Sequence, residues 1–519
     1  MMFKTLFRAT WFQLICLAFC ILLAYGPSVT APFIWDDEVM VVGNALIRPE
    51  SPVSSIFTSS AFGEAFDGSS FYRPLQILSY KLDFSLWGLS PAGYRVTSIL
   101  IHFLSMTFLL LCLRKLGFSQ LISFSLSLIY GVHPLAIEAV TYVAGRGDAM
   151  MMLFSLISFY CFLQKKNGAI VCSIVFYILA LFTKENAVIL PGFMMVYALW
   201  VGKKETPLAA WVSFMVTFLI GGLYSIFRIQ GVMHATSRTL SWIADTPFLI
   251  RLLSVPRIVL TYIQLFLFPM NLHMEYHFVE TSLNTIYIWI GLPVLFAVVF
   301  ATIKWHPKRD LMLFFWAIFF IGLLPVLNVF SPLASTLREH WLYLPGLGLL
   351  GVFGLCIEFL KWQRVQLGAL ILFGVFLLGT TICRNQDWMD PLRLYAHDLE
   401  LEPRSFLLHN NLGVTYFRSG DIDFALREFM SAIENSPGKK YGVSYNNVGA
   451  VLEQKNQIQE AAHYYLESIR LSQYELGYVN ISKIYLRYKR PDLARPILIE
   501  GLRAYPHSSD LNLLRKMVP

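Results

Sequence analysis

The chain has 519 residues, of which 56% are hydrophobic and only 14% charged, and its mean hydropathy is +0.57. Soluble proteins carry about 25% charged residues, so this composition excludes an ordinary array of soluble domains. The charge is unevenly placed, because residues 388–519 hold 16 of the 41 Lys and Arg and 15 of the 33 Asp and Glu. We therefore predict a membrane domain over residues 1–387 and a soluble domain over residues 388–519. The net charge of +8 falls mostly in the membrane domain, where it sets topology, so nucleic acid is excluded as a partner.

Twelve apolar runs in the membrane domain approach the roughly 17 to 25 residues that cross a bilayer. If the Lys and Arg clusters between them face the cytoplasm, one of the two runs between residue 248 and Lys304 does not cross. The run at 249–269 is the weaker, because Arg251 and Arg257 interrupt it, and we predict that it is re-entrant or interfacial. About eleven transmembrane helices follow, with the amino terminus in the cytoplasm and the tail on the opposite face. The twelve runs lie at about 9–26, 93–113, 119–132, 148–164, 168–183, 186–202, 207–227, 249–269, 284–303, 311–330, 340–360 and 365–383.

Polar clusters gather at the non-cytoplasmic ends of these runs, where ionisable residues are costly unless they are paired or functional. Adjacent carboxylates, Asp36 and Asp37, follow the first run. At membrane depth such a pair suits a general base, a divalent cation site for Mg²⁺ or Mn²⁺, or a clamp on sugar hydroxyls. It also suits the N-cap of a surface helix, and the residues by themselves leave these alternatives open.

The tail repeats with a period of about 34 residues, the length of a tetratricopeptide helix pair. We predict an α-solenoid of about three repeats, at approximately 406–439, 442–474 and 475–508. Residues 391–401 form a preceding half-repeat and residues 511–517 a cap. Such an array binds extended peptides or partner helices, and a passive scaffold is the alternative. The first repeat has the expected large, small and aromatic residues at Leu412, Gly413, Tyr416, Ala425, Phe429, Ala432 and Pro437.

Several segments together resemble a known family. WDDE, FYRPL with LDFSLWG, VHPLAIEAVTYVAGRGD, TKENAVILP, FPMNLHMEY, LREHWLYLPGLG and RNQDWMDPLRLY occur in this order along the chain. They resemble the transmembrane and tetratricopeptide repeat O-mannosyltransferases and their bacterial relatives, over essentially the whole chain. The most specific blocks are HP with EAV and GRGD, and LYLPGLG. The resemblance implies an all-α, GT-C-like membrane glycosyltransferase, and the short repeat array makes a bacterial relative our expectation.

The resemblance implies a polyprenyl- or dolichyl-phosphate sugar as donor and a protein or cell-surface glycan as acceptor. The sugar is transferred at the outer ends of the spans, because the anomeric carbon of the donor lies just above the bilayer. Asp36 matches the first acidic motif position of the family and is the predicted base. Asp37 then orients the acceptor or a metal, and no cofactor other than such a cation is implied.

Cations that stabilise the departing lipid phosphate are a second expectation. We expect Asp148 to hold the guanidinium of Arg146. Lys184 and Arg338 both precede a Glu, so a structural ion pair with Glu185 or Glu339 is the rival interpretation. The predicted phosphate-binding residues are Arg146, Lys184, Arg338 and Arg228.

The remaining candidates support the site or line the acceptor path. Tyr72 and Arg73 line that path or form an aromatic lid at headgroup level. Glu138 lies four residues after Pro134 and is expected to point toward the carboxylate loop, while His133 supports the site or only caps the segment that follows. The full supporting set is Tyr72, Arg73, His133, Glu138, Asp148, Glu185 and Glu339.

The sequence therefore predicts a glycosyltransferase embedded in a membrane, with the repeats recruiting the acceptor or a partner protein. The membrane is the bacterial inner membrane with periplasmic repeats, or the endoplasmic reticulum with lumenal repeats if the host is eukaryotic. Two other functional classes remain open. One is a transporter or flippase of lipid-linked sugars, and the other is a non-catalytic assembly factor that acts through its repeats.

Overall fold

The computed structural model describes residues 10–62, 71–164, 166–202, 208–233, 240–506 and 508–518. The side chains of residues 167, 208–210 and 227–233 are not part of this description. Two compact units are distinguished. The first comprises Met1–Ser237, Thr246–Met274 and Phe278–Met389, and the second comprises Arg238–Asp245, Glu275–His277 and Asp390–Pro519.

The first unit consists of apolar helices joined by short turns. Within the described residues, eight helical segments are long and apolar enough to cross a membrane. A bent pair, Gln120–Gly131 with Pro134–Val140, makes a ninth, and three shorter apolar helices accompany them. The chain is therefore a multi-pass membrane protein. Its α-helices are α1 (Thr10–Tyr25), α2 (Val53–Ile56), α3 (Pro74–Trp87), α4 (Pro91–Lys115), α5 (Gln120–Gly131), α6 (Ile137–Val140), α7 (Arg146–Leu163), α8 (Asn167–Thr183), α9 (Leu190–Val196), α10 (Leu208–Met233), α11 (Phe248–Leu267), α12 (Leu292–Trp305), α13 (Arg309–Leu323), α14 (Gly346–Phe359) and α15 (Gln363–Asp387).

The segment expected to be re-entrant or interfacial forms α11, one continuous helix of 20 residues with Pro256 inside it. By length and composition this helix is itself a candidate span. A re-entrant segment normally turns back at a break, and α11 has no break of that kind. The number of crossings therefore stays a prediction.

Helix α7 forms the centre of the first unit. With the turn before it, it forms the most buried of the candidate spans, Val143–Leu163, because 78% of the apolar stretch in this span is buried. It packs against α4 and α8. The chain reaches α7 through the short helical turns that follow His133. These turns meet the end of α15, where Thr141 Oγ1 donates to Asn385 Oδ1 at 2.7 Å, and Asn385 Nδ2 in turn donates to Ala24 O at the end of α1 at 2.8 Å. Helices α1 and α15 finish at one end of the unit, which we call the carboxylate end. The described part of α1 and helices α5 and α15 begin at the other end, which we call the opposite end.

The second unit consists of antiparallel helix pairs. Within each of the first two pairs a glycine allows the helices to pack closely. A Cβ on Gly413 would lie 2.7 Å from the ring of Phe429, and one on Gly449 would lie 2.7 Å from the ring of Tyr465. The helices are α16 (Pro391–Leu401), α17 (Phe406–Ser419), α18 (Ile422–Asn435), α19 (Gly442–Gln454), α20 (Ile458–Ser472), α21 (Glu475–Arg487), α22 (Pro491–Ala504) and α23 (Ser509–Lys516).

Asparagine side chains join the first helices of successive pairs. Asn447 Nδ2 on α19 donates to Asn410 Oδ1 on α17 at 2.9 Å. Asn480 Nδ2 on α21 donates to Asn446 Oδ1 on α19 at 2.9 Å. This repeated bond fixes the register of one pair on the next. The structure confirms the predicted fold class, an all-helical polytopic membrane protein with helical repeats after its spans.

Candidate active site

The two carboxylates after α1 lie in different surroundings. Trp35 has a φ of +56°, a left-handed conformation that is rare for an aromatic residue and that marks a constrained turn. After this turn Asp37 is fully buried, and its two oxygens accept the backbone N–H groups of Ile34 at 3.1 Å and Ala144 at 2.7 Å. Asp36 stays partly exposed. Asp37 therefore holds the loop against the segment before α7, and Asp36 is the accessible carboxylate.

Burial also divides the negative charge between the two residues. Loss of hydration raises the pKa of Asp37 to about 7, although the nearby Arg95 and the two backbone donors lower it. Buried carboxyl groups behave in this way because the charged form loses its hydration. Below that pH Asp37 is neutral, and the negative charge of the pair resides on Asp36.

Tyr142 connects Asp36 to the opposite wall of the site. Its hydroxyl oxygen accepts the backbone N–H of Asp36 at 3.1 Å, and its ring lies 5.6 Å from that of Trp388. Burial and the negative charges of Asp36 and Asp37 hold the pKa of Tyr142 well above its usual value, while Arg338 opposes them. The phenol therefore stays protonated, with carboxylate and guanidinium charges both acting on its hydroxyl.

Arg338 lies on the segment that precedes α14. Its guanidinium carbon lies 5.5 Å from the centre of the Trp35 ring, a cation–π distance. Its carbonyl oxygen accepts the hydroxyl of Tyr262 at 3.3 Å, and the side chain is partly exposed. The next residue, Glu339, is buried and accepts the backbone N–H of His273 at 2.7 Å. Arg338 thus lies on a braced segment, next to the same turn that carries Asp36.

His340 follows Glu339 and lies near a second group of charged residues, formed by Glu138, Asp148, Lys184, Arg73 and Glu185. Its backbone N–H donates to Glu138 Oε2 at 3.3 Å, and its Nδ1 also contacts that oxygen. Burial and the nearby cations Lys184, Arg338 and Arg73 hold the pKa of His340 well below its usual range, against the pull of Asp148. The ring is therefore neutral and donates from Nδ1 to Glu138. These contacts direct Glu138 toward His340, whereas the sequence predicted that it points toward the carboxylate loop.

Two ion pairs complete the second group. Lys184 Nζ lies 2.8 and 2.7 Å from the two oxygens of Asp148, and both side chains are buried. Arg73 donates to both oxygens of Glu185, at 3.2 and 2.7 Å. The partner of Asp148 is therefore Lys184, and the expectation that it holds Arg146 is wrong. The rival interpretation of Lys184 as a member of a structural ion pair agrees with this geometry, with Asp148 in the place of Glu185.

Arg146 does not belong to this group. It is 0% exposed and pairs with Asp83 at 2.6 Å. Its other donors reach Ser98 Oγ at 3.0 Å, Ser79 Oγ at 3.1 Å and Tyr94 O at 2.6 Å. A phosphate would have to displace these partners. The geometry therefore favours a structural role for Arg146, and its phosphate-binding role stays a prediction.

The other candidates are His133, Tyr72 and Arg228. His133 is buried, with its ring stacked 5.2 Å from that of Phe266 and its Nε2 bonded to Phe266 O at 3.0 Å. Its Nδ1 accepts the N–H of Leu135, which fits the predicted cap. Tyr72 donates to Phe57 O at 3.1 Å on the surface. Arg228 belongs to α10, and its side chain lies outside the described residues.

The geometry does not favour a metal site at Asp36 and Asp37. A divalent cation such as Mg²⁺ takes about six oxygen ligands, several of them from water and substrate. Both oxygens of Asp37 already accept backbone donors, and nowhere in the described part of the chain do three His, Cys, Asp or Glu side chains gather around one point. The described residues around Asp36 and Asp37 therefore do not form a metal cage.

Three residues of the site were missed by sequence reasoning. Tyr142 and His340 lie inside the quoted motifs but attract no attention as isolated polar residues. Arg95 donates to Thr141 O at 2.9 Å and to the carbonyls of Ala31 and Pro32, so it secures the loop that leads to Asp36. A signal was present for Arg95, because an arginine near the start of an apolar run needs a partner.

No family model matches the chain. Two curated proteins are similar to it. The protein O-mannosyl-transferase F38B6.6 of Caenorhabditis elegans is 26% identical over 448 residues, which cover 80% of this chain and 61% of that protein. The protein O-mannosyl-transferase TMTC3 of Homo sapiens is 23% identical over 499 residues, which cover 85% of this chain and 53% of that protein.

Homologues of the chain are the TMTC protein O-mannosyl-transferases. This confirms the resemblance derived from the motifs. The chain spans 61% and 53% of the length of these two relatives. A solved structure, the APC/C hetero-tetramer Cut9-Hcn1, overlaps 86% of this chain and 96% of that chain at 14% identity, with a TM-score of 0.26, which is too low to bear on the fold.

Proposed function

We propose that this TMTC homologue is a membrane glycosyltransferase that moves a sugar from a polyprenyl- or dolichyl-phosphate to a hydroxyl group of a protein or glycan. The relatives are named protein O-mannosyl-transferases, which makes mannose the first sugar to test. The observation that carries the proposal is that Asp36 and Arg338 share one turn: the Arg338 guanidinium lies 5.5 Å from the ring of Trp35, the residue before Asp36, and the Tyr142 hydroxyl accepts the Asp36 backbone N–H. Asp36 and Arg338 are both partly exposed at the end of the spans, where a lipid-linked phosphate lies.

Asp36 serves as the base in this proposal. The acceptor oxygen forms a bond to the anomeric carbon and gives its proton to the Asp36 carboxylate. Asp37 is buried and both of its oxygens already accept backbone N–H groups, so its carboxyl is less available than that of Asp36 to take this proton. The two backbone bonds of Asp37 hold the loop still, which fixes where the Asp36 carboxylate meets the acceptor.

Arg338 serves as the principal phosphate ligand. The bond between the anomeric carbon and the phosphate oxygen breaks, and its electron pair stays on the lipid phosphate. A guanidinium held in a partly dry site stabilises this charge better than water does. Lys184 contributes more weakly, because Asp148 already occupies its ammonium group. Attack opposite the leaving phosphate inverts the anomeric configuration.

The repeats recruit the acceptor or a partner protein in this proposal. Asn411, Asn447 and Asn480 stand at equivalent positions of the three first helices and are partly exposed. Amide side chains both donate and accept, as the backbone of an extended peptide does. Asn411→Ala, which leaves the register bonds of Asn447 and Asn480 in place, is expected to raise KM for a large protein acceptor and to leave a short acceptor peptide unaffected. Asn435→Ala, on a second helix, is the control.

The proposal is tested with the full chain in liposomes, using labelled polyprenyl-phosphate mannose and a mixture of secreted proteins. Asp36→Asn is expected to lower transfer by about 100-fold or more, and Arg338→Gln by about 10- to 1,000-fold. The control variants are Asp510→Asn and Arg309→Gln, which are exposed and remote in sequence.

Full activity of Asp36→Asn in this assay removes the proposed base. Loss of transfer equally in the controls indicates damage to folding. No transfer by the wild type with any labelled sugar, beside an active control enzyme, overturns the proposal and favours the transporter or assembly function.

A further inference from the structure

A cavity of about 950 Å³ lies between α1, α5 and α15 in the first unit. Its lining is mainly apolar side chains, from Ser119 to Val132 on one side and from Gln363 to Leu378 on another. The polar side chains that line it are concentrated at the opposite end of the unit. Those at this end are Gln13, Ser119, Gln120, Gln363 and Gln366, and Ser125 lies further along α5.

The polar mouth of this cavity is electrically positive. Helices α5 and α15 begin there, and a helix amino terminus carries a partial positive charge. Arg114 donates to Thr10 Oγ1 at 3.3 Å and also to Gln13 Oε1, which places its guanidinium at the mouth. Lys361 and Arg364 flank the first residue of α15 and are exposed. Glu358 is bonded to Lys308 at 2.7 Å, so its charge is neutralised within its own pair.

The apolar part of this cavity, which we call the trough, is about as long as a lipid acyl chain. The 12 residues of α5 rise about 18 Å at 1.5 Å per residue. One leaflet of hydrocarbon is about 15 Å deep, so the trough takes a tilted acyl chain over that depth. Space remains inside it at Gly374, where a Cβ would have Ile129 at 3.7 Å as its nearest neighbour.

We infer that this cavity binds an anionic glycerophospholipid, with one acyl chain in the trough and the phosphate at the Arg114 and glutamine mouth. Basic pockets between transmembrane helices are suited to anionic headgroups. The site differs from the proposed donor site, because its polar mouth lies at the opposite end and Asp36 lies at the carboxylate end. A single lipid phosphate cannot occupy both ends. The inference therefore does not depend on the proposed function.

The experiment uses the full chain in detergent, with native mass spectrometry and thermal unfolding at increasing lipid concentration. Phosphatidylglycerol is expected to bind saturably and at least about fivefold more tightly than phosphatidylcholine, the gain given by one basic residue near a headgroup. Gly374→Phe fills the trough and is expected to abolish binding, whereas Gly374→Ala is the matched control that keeps it. Arg114→Gln is expected to remove most of the preference for the anionic lipid, and Arg309→Gln to leave it unchanged.

Equal binding of the two phospholipids to the wild type overturns the inference, and this comparison does not depend on any variant folding. Unchanged binding by Gly374→Phe also overturns it. Undecaprenyl phosphate is the competitor that separates the two lipid sources. Displacement of phosphatidylglycerol by an equal concentration of undecaprenyl phosphate would assign the cavity to the donor lipid and refute the proposed occupant.

Discussion

Lys184 Nζ bonds both carboxylate oxygens of Asp148, at 2.8 and 2.7 Å, although Glu185 is its neighbour in sequence. Lys184 ends α8 in an extended conformation with a φ of −155°, and Glu185 begins the next helical turn and pairs with Arg73. Asp148 lies in the first turn of α7, where the helix dipole favours an anion. The two pairs together tie α3, α7 and α8 at the carboxylate end.

The Lys184–Asp148 pair is expected to be important for stability because it is buried. Lys184→Met leaves the Asp148 charge without its partner, which typically costs about 3–5 kcal/mol. The double variant Lys184→Met with Asp148→Leu should recover most of that loss. Thermal unfolding in detergent measures both. The control is Lys439→Met, whose partner Glu434 is exposed and whose loss should cost less than about 1 kcal/mol. Equal effects of the buried and exposed variants would contradict the prediction.

Tyr142→Phe removes one hydroxyl and keeps the ring against Trp388. The backbone N–H of Asp36 then loses its acceptor, and the Asp36 loop becomes less well held. We expect kcat to fall by about 10-fold with little change in KM, since a lost hydrogen bond at a positioned group costs about 1–1.5 kcal/mol. Transfer assays with varied donor concentration measure the two constants. Tyr488→Phe, exposed on the second unit, is the control, and a drop of the same size in both would refute a positioning role for Tyr142.

The pKa of Asp37 predicts a pH dependence of stability. Folding raises this pKa from an ordinary 3.8 to about 7, so the folded state holds its proton more tightly than the unfolded state. The contribution is complete below about pH 4 and is lost as the pH rises through about 7. The melting temperature of the wild type should fall by a few degrees between pH 5 and pH 8, relative to Asp37→Asn. Identical pH profiles of the two proteins would show that Asp37 does not titrate in this range.

Gly145 is predicted to be intolerant of any side chain. A Cβ there would lie 1.7 Å from the carbonyl oxygen of Glu138, which is backbone and cannot rotate away. Gly145→Ala must therefore shift the turn that carries Tyr142, and we expect a loss of transfer of at least about 10-fold with a lowered melting temperature. Gly168→Ala is the matched control, because its Cβ would meet nothing within 4 Å. Wild-type activity in Gly145→Ala would mean that the turn adapts at no cost.

Sequence alone determined the helices and the repeats, because both depend on local pattern. Apolar runs of bilayer length form helices wherever they occur, since the backbone must satisfy its own hydrogen bonds in lipid. The 34-residue period likewise predicted glycines such as Gly413, which accommodates the ring of Phe429. The motif blocks also located most of the charged residues that meet around His340.

Only the tertiary structure decided which charges pair and which remain accessible. Arg146 and Lys184 look alike in the sequence, as cations at the ends of spans. In the fold, Arg146 is enclosed by Asp83, and Lys184 takes Asp148. Burial likewise separates Asp37 from its neighbour Asp36. Pairing and burial depend on distances between segments far apart in the chain, and such distances leave no periodic trace in the sequence.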